Sequence, residues 1–130
     1  MTTEKHPKLN VKQVTIDCIN PKKLSAFYSK LLDWEVEYED ENFVRIVSGI
    51  GNFGLGFQYN EDYIPPVWPE ETGKQQQMEH LDIYVETEEE MGAAVEYAIA
   101  CGASRAKVQY SDGWTVMIDP EGHPFCIDLL

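Results

Sequence analysis

A chain of 130 residues has room for one hydrophobic core and not for two independent domains. Its 23 acidic against 10 basic residues give a formal net charge of −13, a field that repels nucleic acid and anionic membrane surfaces. No apolar run approaches the ~20 residues of a membrane span, and Met1 to Leu9 has no secretory apolar segment, so a cytoplasmic location is expected.

From Val11 to Ile19 the residues alternate and are rich in β-branched side chains, which predicts a strand. Val14, Ile16 and Cys18 then share one face, with Gln13, Thr15 and Asp17 on the other. Asn20-Pro21 supplies an N-cap and a first-turn proline, and Leu24, Phe27, Tyr28, Leu31 and Leu32 recur at helical spacing up to Asp33. Trp34–Tyr38, Phe43–Val47 and Phe53–Tyr59 follow as strands, so the first unit reads β-α-β-β-β. His80–Val85 opens a second unit with Leu81, Ile83 and Val85 on one face and His80, Asp82 and Tyr84 on the other. Thr87-Glu88-Glu89-Glu90 is a capping box, and Met91, Ala94, Val95, Ala98 and Ile99 form the stripe of a helix ended by Gly102. Lys107–Tyr110, Trp114–Ile118 and Phe125–Leu129 are expected to complete three more strands.

The order repeats at about half the chain length, the mark of two copies of one unit. The glycine-containing turns ahead of Phe-Gly-Leu-Gly-Phe (residues 53–57) and Phe-Cys-Ile-Asp-Leu (residues 125–129) carry it most clearly. One domain over residues 1–130 follows, with module one at about 10–59, a connecting loop at about 60–78 and module two at about 79–130. The loop is long, but Tyr63, Ile64, Val67 and Trp68 argue for a packed pocket loop over a floppy linker. His6 and His123 are expected to be solvated. The acidic runs Glu35–Glu41 and Glu86–Glu90 read as solvated faces, although the same charge favours a cationic ligand. Cys18, Cys101 and Cys126 sit among apolar neighbours without CxxC spacing, as reduced thiols do.

Ile16-Asp17-Cys18-Ile19-Asn20-Pro21, Leu24-x-x-Phe27-Tyr28-x-x-Leu31-Leu32, Pro66-Val67-Trp68-Pro69, His80-Leu81-Asp82-Ile83 and Asp119-Pro120-x-Gly122-x-Pro124-Phe125-Cys126 occur in that order. With the repeat, they resemble the vicinal oxygen chelate superfamily, in its glyoxalase-like, bleomycin-resistance-like branch. The resemblance implies an α+β fold, the glyoxalase/bleomycin resistance/dioxygenase fold. Two tandem βαβββ modules form a curled mixed sheet around a shared cleft, often in a homodimer. Val14, Ile16, Leu81 and Ile83 become core. Gln13, Thr15, Asp17, His80, Asp82 and Tyr84 face the cleft, joined by Gly54, Gly56, Gln58, Cys126 and Asp128, with Arg45 and Val116 matched by the repeat.

Metal-dependent members of that superfamily take a ligand from the first and the last strand of each module. The corresponding positions here are Gln13, Gly54 (or Gly56), His80 and Cys126. Glycine offers no side-chain donor, and a thiol replaces a hard carboxylate, so no metal cofactor is expected. A His/Cys remnant joined by Asp17, Asp82 or Asp128 remains the route to a divalent ion such as zinc. The expectation is therefore a protein that binds a small organic molecule in the cleft, as in drug or metabolite sequestration. Gln13, Asp17, Gln58, His80 and Asp128 would supply polar contacts, with Arg45, Tyr84 and Cys126 beside them. Trp68 and Trp114 would enclose the ligand. Two alternatives stay open, with Asp17 and His80 as the catalytic candidates: a metal-dependent lyase or isomerase of the glyoxalase type, and a metal-free enzyme using an Asp17 or Asp82 carboxylate as base. In the last case an Asp17/Asp82 pair sharing one cavity would shift a pKa, or one of the two would pair with Arg45.

Overall fold

Local chemistry sets the ends of both helices. The computed structural model describes residues 7–130, so His6 lies outside the described residues. After β1 (Gln13–Cys18), the Asn20 side chain accepts from the Lys23 N–H at 3.1 Å, and Pro21 starts α1 (Pro21–Leu32). Asp33, in the left-handed conformation, ends that helix by donating its backbone N–H to Ser29. β2 (Glu35–Glu39), β3 (Phe43–Val47) and β4 (Gly54–Tyr59) complete the first module. In the second, β5 (Leu81–Val85) leads into α2 (Glu88–Cys101), where Thr87 and Glu90 form the reciprocal capping box. β6 (Ser104–Arg105), β7 (Trp114–Ile118) and β8 (Pro124–Leu129) finish the chain.

Each module builds its own four-stranded mixed sheet, in the orders β1-β4-β3-β2 and β5-β8-β7-β6. The strands β1 and β4, like β5 and β8, run parallel, and the remaining pairs are antiparallel. The sheets do not close on each other. Lys107–Tyr110 departs from expectation, because only Ser104–Arg105 pairs with β7. The Gln109 amide replaces the missing ladder: it donates to the carbonyls of Ala106 and Val116 at 2.8 and 2.9 Å and accepts from the Val116 N–H at 2.8 Å. Freed from the sheet, Val108 turns its carbonyl to the Trp68 indole, which donates to it at 2.8 Å.

One core spans both modules. Tyr28 stacks on Phe57 of the first sheet at 5.6 Å between ring centroids and meets Phe125 of the second edge-on at 5.9 Å. Leu24, Phe27, Val95, Ala98 and Ile127 fill the space around them, and Val14, Ile16, Leu81 and Ile83 pack half-buried against it. The helix-facing positions read from the alternation are thus on the core side.

A turn of module two latches onto module one. The Tyr28 hydroxyl donates to Asp119 at 2.7 Å, inside the core where Asp119 is only 4% exposed. The Glu121 carboxylate accepts from the N–H groups of Ile19 and Asn20, at 3.0 and 2.8 Å, ahead of α1. His123 is half-buried rather than solvated, with Nε2 2.7 Å from the Asp17 carbonyl.

Phe125→Ala is expected to cost about 3–5 kcal/mol, the range for emptying an aromatic core position. Because that ring belongs to both modules, urea unfolding followed at Trp34 and at Trp114 in single-tryptophan variants should give coincident midpoints. Burial raises the Asp119 pKa, the lowering effects of His123 and of its hydrogen bonds notwithstanding. A carboxyl raised on folding contributes stability that is present below its unfolded pKa of about 4 and is lost as pH rises through its folded value. Asp119→Asn should therefore lose less stability than the parent chain between pH 4 and 7 in parallel denaturation curves.

Candidate functional site

In module two, His80 precedes β5, Asp82 lies on it, and Cys126 lies directly across on β8. The His80 Nε2 stands 3.2 Å from an Asp82 carboxylate oxygen. One ligand atom from each of His80, Asp82 and Cys126 lies within 4.8 Å of the others. Burial pushes the Cys126 thiol up to about 11, and the nearby Asp82 and Asp128 charges and a hydrogen bond to Asp82 add to the shift. At neutral pH it is a protonated thiol and a poor nucleophile.

A cavity of about 350 Å³ opens above these groups. Trp68, Tyr110 and Trp114 wall it, with the Asp82 and Asp128 side chains also on its lining. Trp68 is held by its bond to Val108 and lies 5.3 Å, centroid to centroid, from Tyr110.

Module one, by contrast, is closed at the matching place. The backbone register pairs Asp82 with Cys126 and Thr15 with Gly56, so Gly56 rather than Gly54 is the counterpart of Cys126. A Cβ at Gly56 would stand 2.8 Å from Phe43 and 2.9 Å from the Thr15 hydroxyl. One at Gly54 would stand 2.5 Å from the Ile46 carbonyl and 3.1 Å from the Arg45 guanidinium carbon. Arg45, 4% exposed, fills the space. Its Nε donates to Gln13 at 2.8 Å, and its other nitrogens donate to Glu37 at 2.8 Å and to the Asn52 carbonyl at 2.7 Å. The partner of Arg45 is thus Glu37, from a run read as solvated, and neither Asp17 nor Asp82. With Gln13 committed to Arg45 and to Thr15, the two-module donor set expected of a metal-dependent relative does not fit.

Asp17 belongs to a second cavity of about 840 Å³, between β1, the connecting loop and the entry to β5. Its carboxylate accepts from the Asn60 side chain at 3.0 Å. Asp17 and Asp82 line different cavities, whereas His80 lines both. Of the other sequence candidates, Tyr84 is exposed and lines neither of these cavities, and Gln58 lines a separate shallow hollow beside Tyr59. Several lining residues escaped the sequence reading, Tyr110 and Gln77 among them. Tyr110 was assigned to a strand, and Gln77, common to both cavities, sat inconspicuously in a glutamine run.

The Glyoxalase-like domain family matches residues 13–127, and the chain belongs to that family. Solved structures share the fold. One is a glyoxalase/bleomycin resistance protein/dioxygenase family enzyme from Burkholderia phytofirmans PsJN, 21% identical, with a TM-score of 0.69 over 92% of this chain and 98% of that one. A possible glyoxalase from Bacillus cereus is 11% identical, with a TM-score of 0.69 over 93% and 99% of the two chains. The fosfomycin resistance protein FosX from Mesorhizobium loti is 11% identical, with a TM-score of 0.66 over 93% and 92%. Comparison of the sequence with curated proteins gives no match. Among the described residues, no helix is long and apolar enough to cross a membrane.

The closure of module one makes a graded prediction. Gly54→Ala meets fixed backbone and should cost about 3 kcal/mol or more, whereas Gly56→Ala meets only side-chain atoms of Phe43, Thr15 and Gln13 and should cost less, about 1–2 kcal/mol. Thermal denaturation of the two variants reads the difference.

Proposed function

We propose that this glyoxalase-like protein binds a small organic cation in the module-two cavity, without a metal and without turnover. The observation that carries the reading is the placement of three aromatic rings, Trp68, Tyr110 and Trp114, around a cavity that also holds Asp82 and Asp128. Aromatic faces attract a cation through their quadrupole, and the attraction grows when the ion is desolvated. The carboxylates balance its charge, and the net charge of −13 raises its encounter rate. Sequestration suits the protonated Cys126 thiol, which equips the cavity to hold a ligand rather than attack one. Structural neighbours named for bleomycin or fosfomycin resistance support a small organic ligand on this fold and say nothing of its charge.

Choline and its neutral carbon isostere, 3,3-dimethylbutan-1-ol, test it by quenching of tryptophan fluorescence. Choline should bind at least tenfold more tightly. Trp68→Ala and Asp128→Asn should each weaken it by roughly 3- to 30-fold, in line with about 0.5–2 kcal/mol for a cation–π contact. Equal binding of the isostere would reduce the cavity to a plain apolar hole and end the proposal.

A second reading rests on the His80, Asp82 and Cys126 cluster, whose nitrogen, oxygen and sulfur donors suit a zinc-type ion held by module two alone. Such an ion would take Cys126 as thiolate and displace its proton. Elemental analysis after zinc loading separates the readings. Near-stoichiometric metal that vanishes in His80→Ala would overturn metal-free binding and direct assays to hemithioacetal substrates.

A further inference from the structure

We infer that the two cavities are the lobes of one site, and that its ligand is an N-acylated organic amine. Its cationic end would occupy the module-two lobe, its amide N–H would meet Gln77, and its apolar acyl end would enter the larger lobe. The inference rests on the cation reading above and extends it to the whole ligand.

The cavities share Gln77, His80 and Pro124 as lining, so they adjoin across the junction between the connecting loop and β5. Their chemistry differs. The smaller lobe, about 350 Å³, has the aromatic walls and two carboxylates. The larger, about 840 Å³, sets an apolar stretch of Val14, Ile16, Ile64 and Leu81 beside the carboxylates of Asp17, Asp62 and Glu79. A bare ammonium ion would leave that second lobe unused.

Gln77 stands where they meet. Its side-chain Oε1 is shielded from solvent and has no hydrogen-bond partner among the described residues. A shielded acceptor left without a donor costs free energy, which a ligand supplying the donor recovers. The position is well defined, because the Gln77 carbonyl accepts from the Glu79 N–H at 2.6 Å and Met78 turns through the left-handed conformation between them. Gln77 borders both lobes, so a ligand lying across the junction passes beside it. A secondary amide places one N–H between two substituents, the arrangement such a ligand needs.

Three probes test this on the intact chain by calorimetry and tryptophan quenching: [5-(phenylacetamido)pentyl]trimethylammonium, the same compound methylated on the amide nitrogen, and pentyltrimethylammonium. The secondary amide should bind roughly tenfold more tightly than the N-methyl amide, the usual scale of a buried acceptor gaining or lacking its donor. Gln77→Met should bring the two amides to within about twofold of each other, read as the ratio of their affinities for the variant. Equal affinities of the two amides for the parent chain would overturn the role of Gln77 while leaving the cation site standing. Pentyltrimethylammonium binding as tightly as the secondary amide would overturn the two-lobed site. Failure of all three probes to bind would overturn the cation reading, and the inference with it. The comparison of probes on the parent chain decides the matter even if the variant folds poorly.

Discussion

The fold depends on one residue doing two jobs at the boundary of the modules. The Tyr28 ring joins Phe57 of one sheet to Phe125 of the other, and its hydroxyl satisfies the buried Asp119 carboxyl. Each module alone has a four-stranded sheet and a single helix, too little to bury an adequate core. The shared aromatic cluster supplies the missing burial, and the hydrogen bond fixes the relative position of the halves. Burial beside Asp119 raises the Tyr28 pKa well above its usual value, so the phenol stays a donor. The bond from Tyr63 to the Glu121 carbonyl at 2.8 Å brings the connecting loop under the same control. A cavity formed by that loop inherits its shape from the weld.

Duplication of a unit makes two equivalent half-sites, and packing has driven them apart. In module one, Arg45 brings a buried positive charge whose donors are met by Gln13, Glu37 and backbone carbonyls. A buried guanidinium requires such compensation, so these groups are no longer free for a ligand. Its counterpart by register in module two is Val116, which makes no such demand. His80, Asp82 and Cys126 there remain oriented toward open space. The difference between arginine and valine at one repeat position explains why the half-sites diverge.

Much of this was legible in the residues, and the failures have identifiable causes. Helix ends could be read because caps act over three or four residues: Asn20 with Lys23, Thr87 with Glu90. The strands whose two faces differ in polarity could be read from alternation, as in β1 and β5. Lys107–Tyr110 misled because a side-chain amide, Gln109, can stand in for a strand partner, and propensity does not register that substitution. Gly54 and Gly56 were ambiguous for a related reason. Both lie on the same strand face, and only the hydrogen-bonded register selects one of them. Partnerships across the fold, such as Arg45 with Glu37, depend on a β-bulge between Val36 and Tyr38 that has no composition signature.

The missed strand also bears on how the site arises. Had Lys107–Tyr110 continued the β6 ladder, the Val108 carbonyl would have been drawn toward a sheet partner and away from the Trp68 indole. An indole N–H inside a wall needs an acceptor, and the Val108 carbonyl provides it at 2.8 Å. The same departure lets the Tyr110 ring approach Trp68. Gln109 is therefore a positioning residue twice over: it satisfies the edge of β7 and releases the segment that supplies two parts of the aromatic wall. Local loss of β-structure, compensated by one amide side chain, is what gives module two an aromatic-walled pocket where module one has a filled surface.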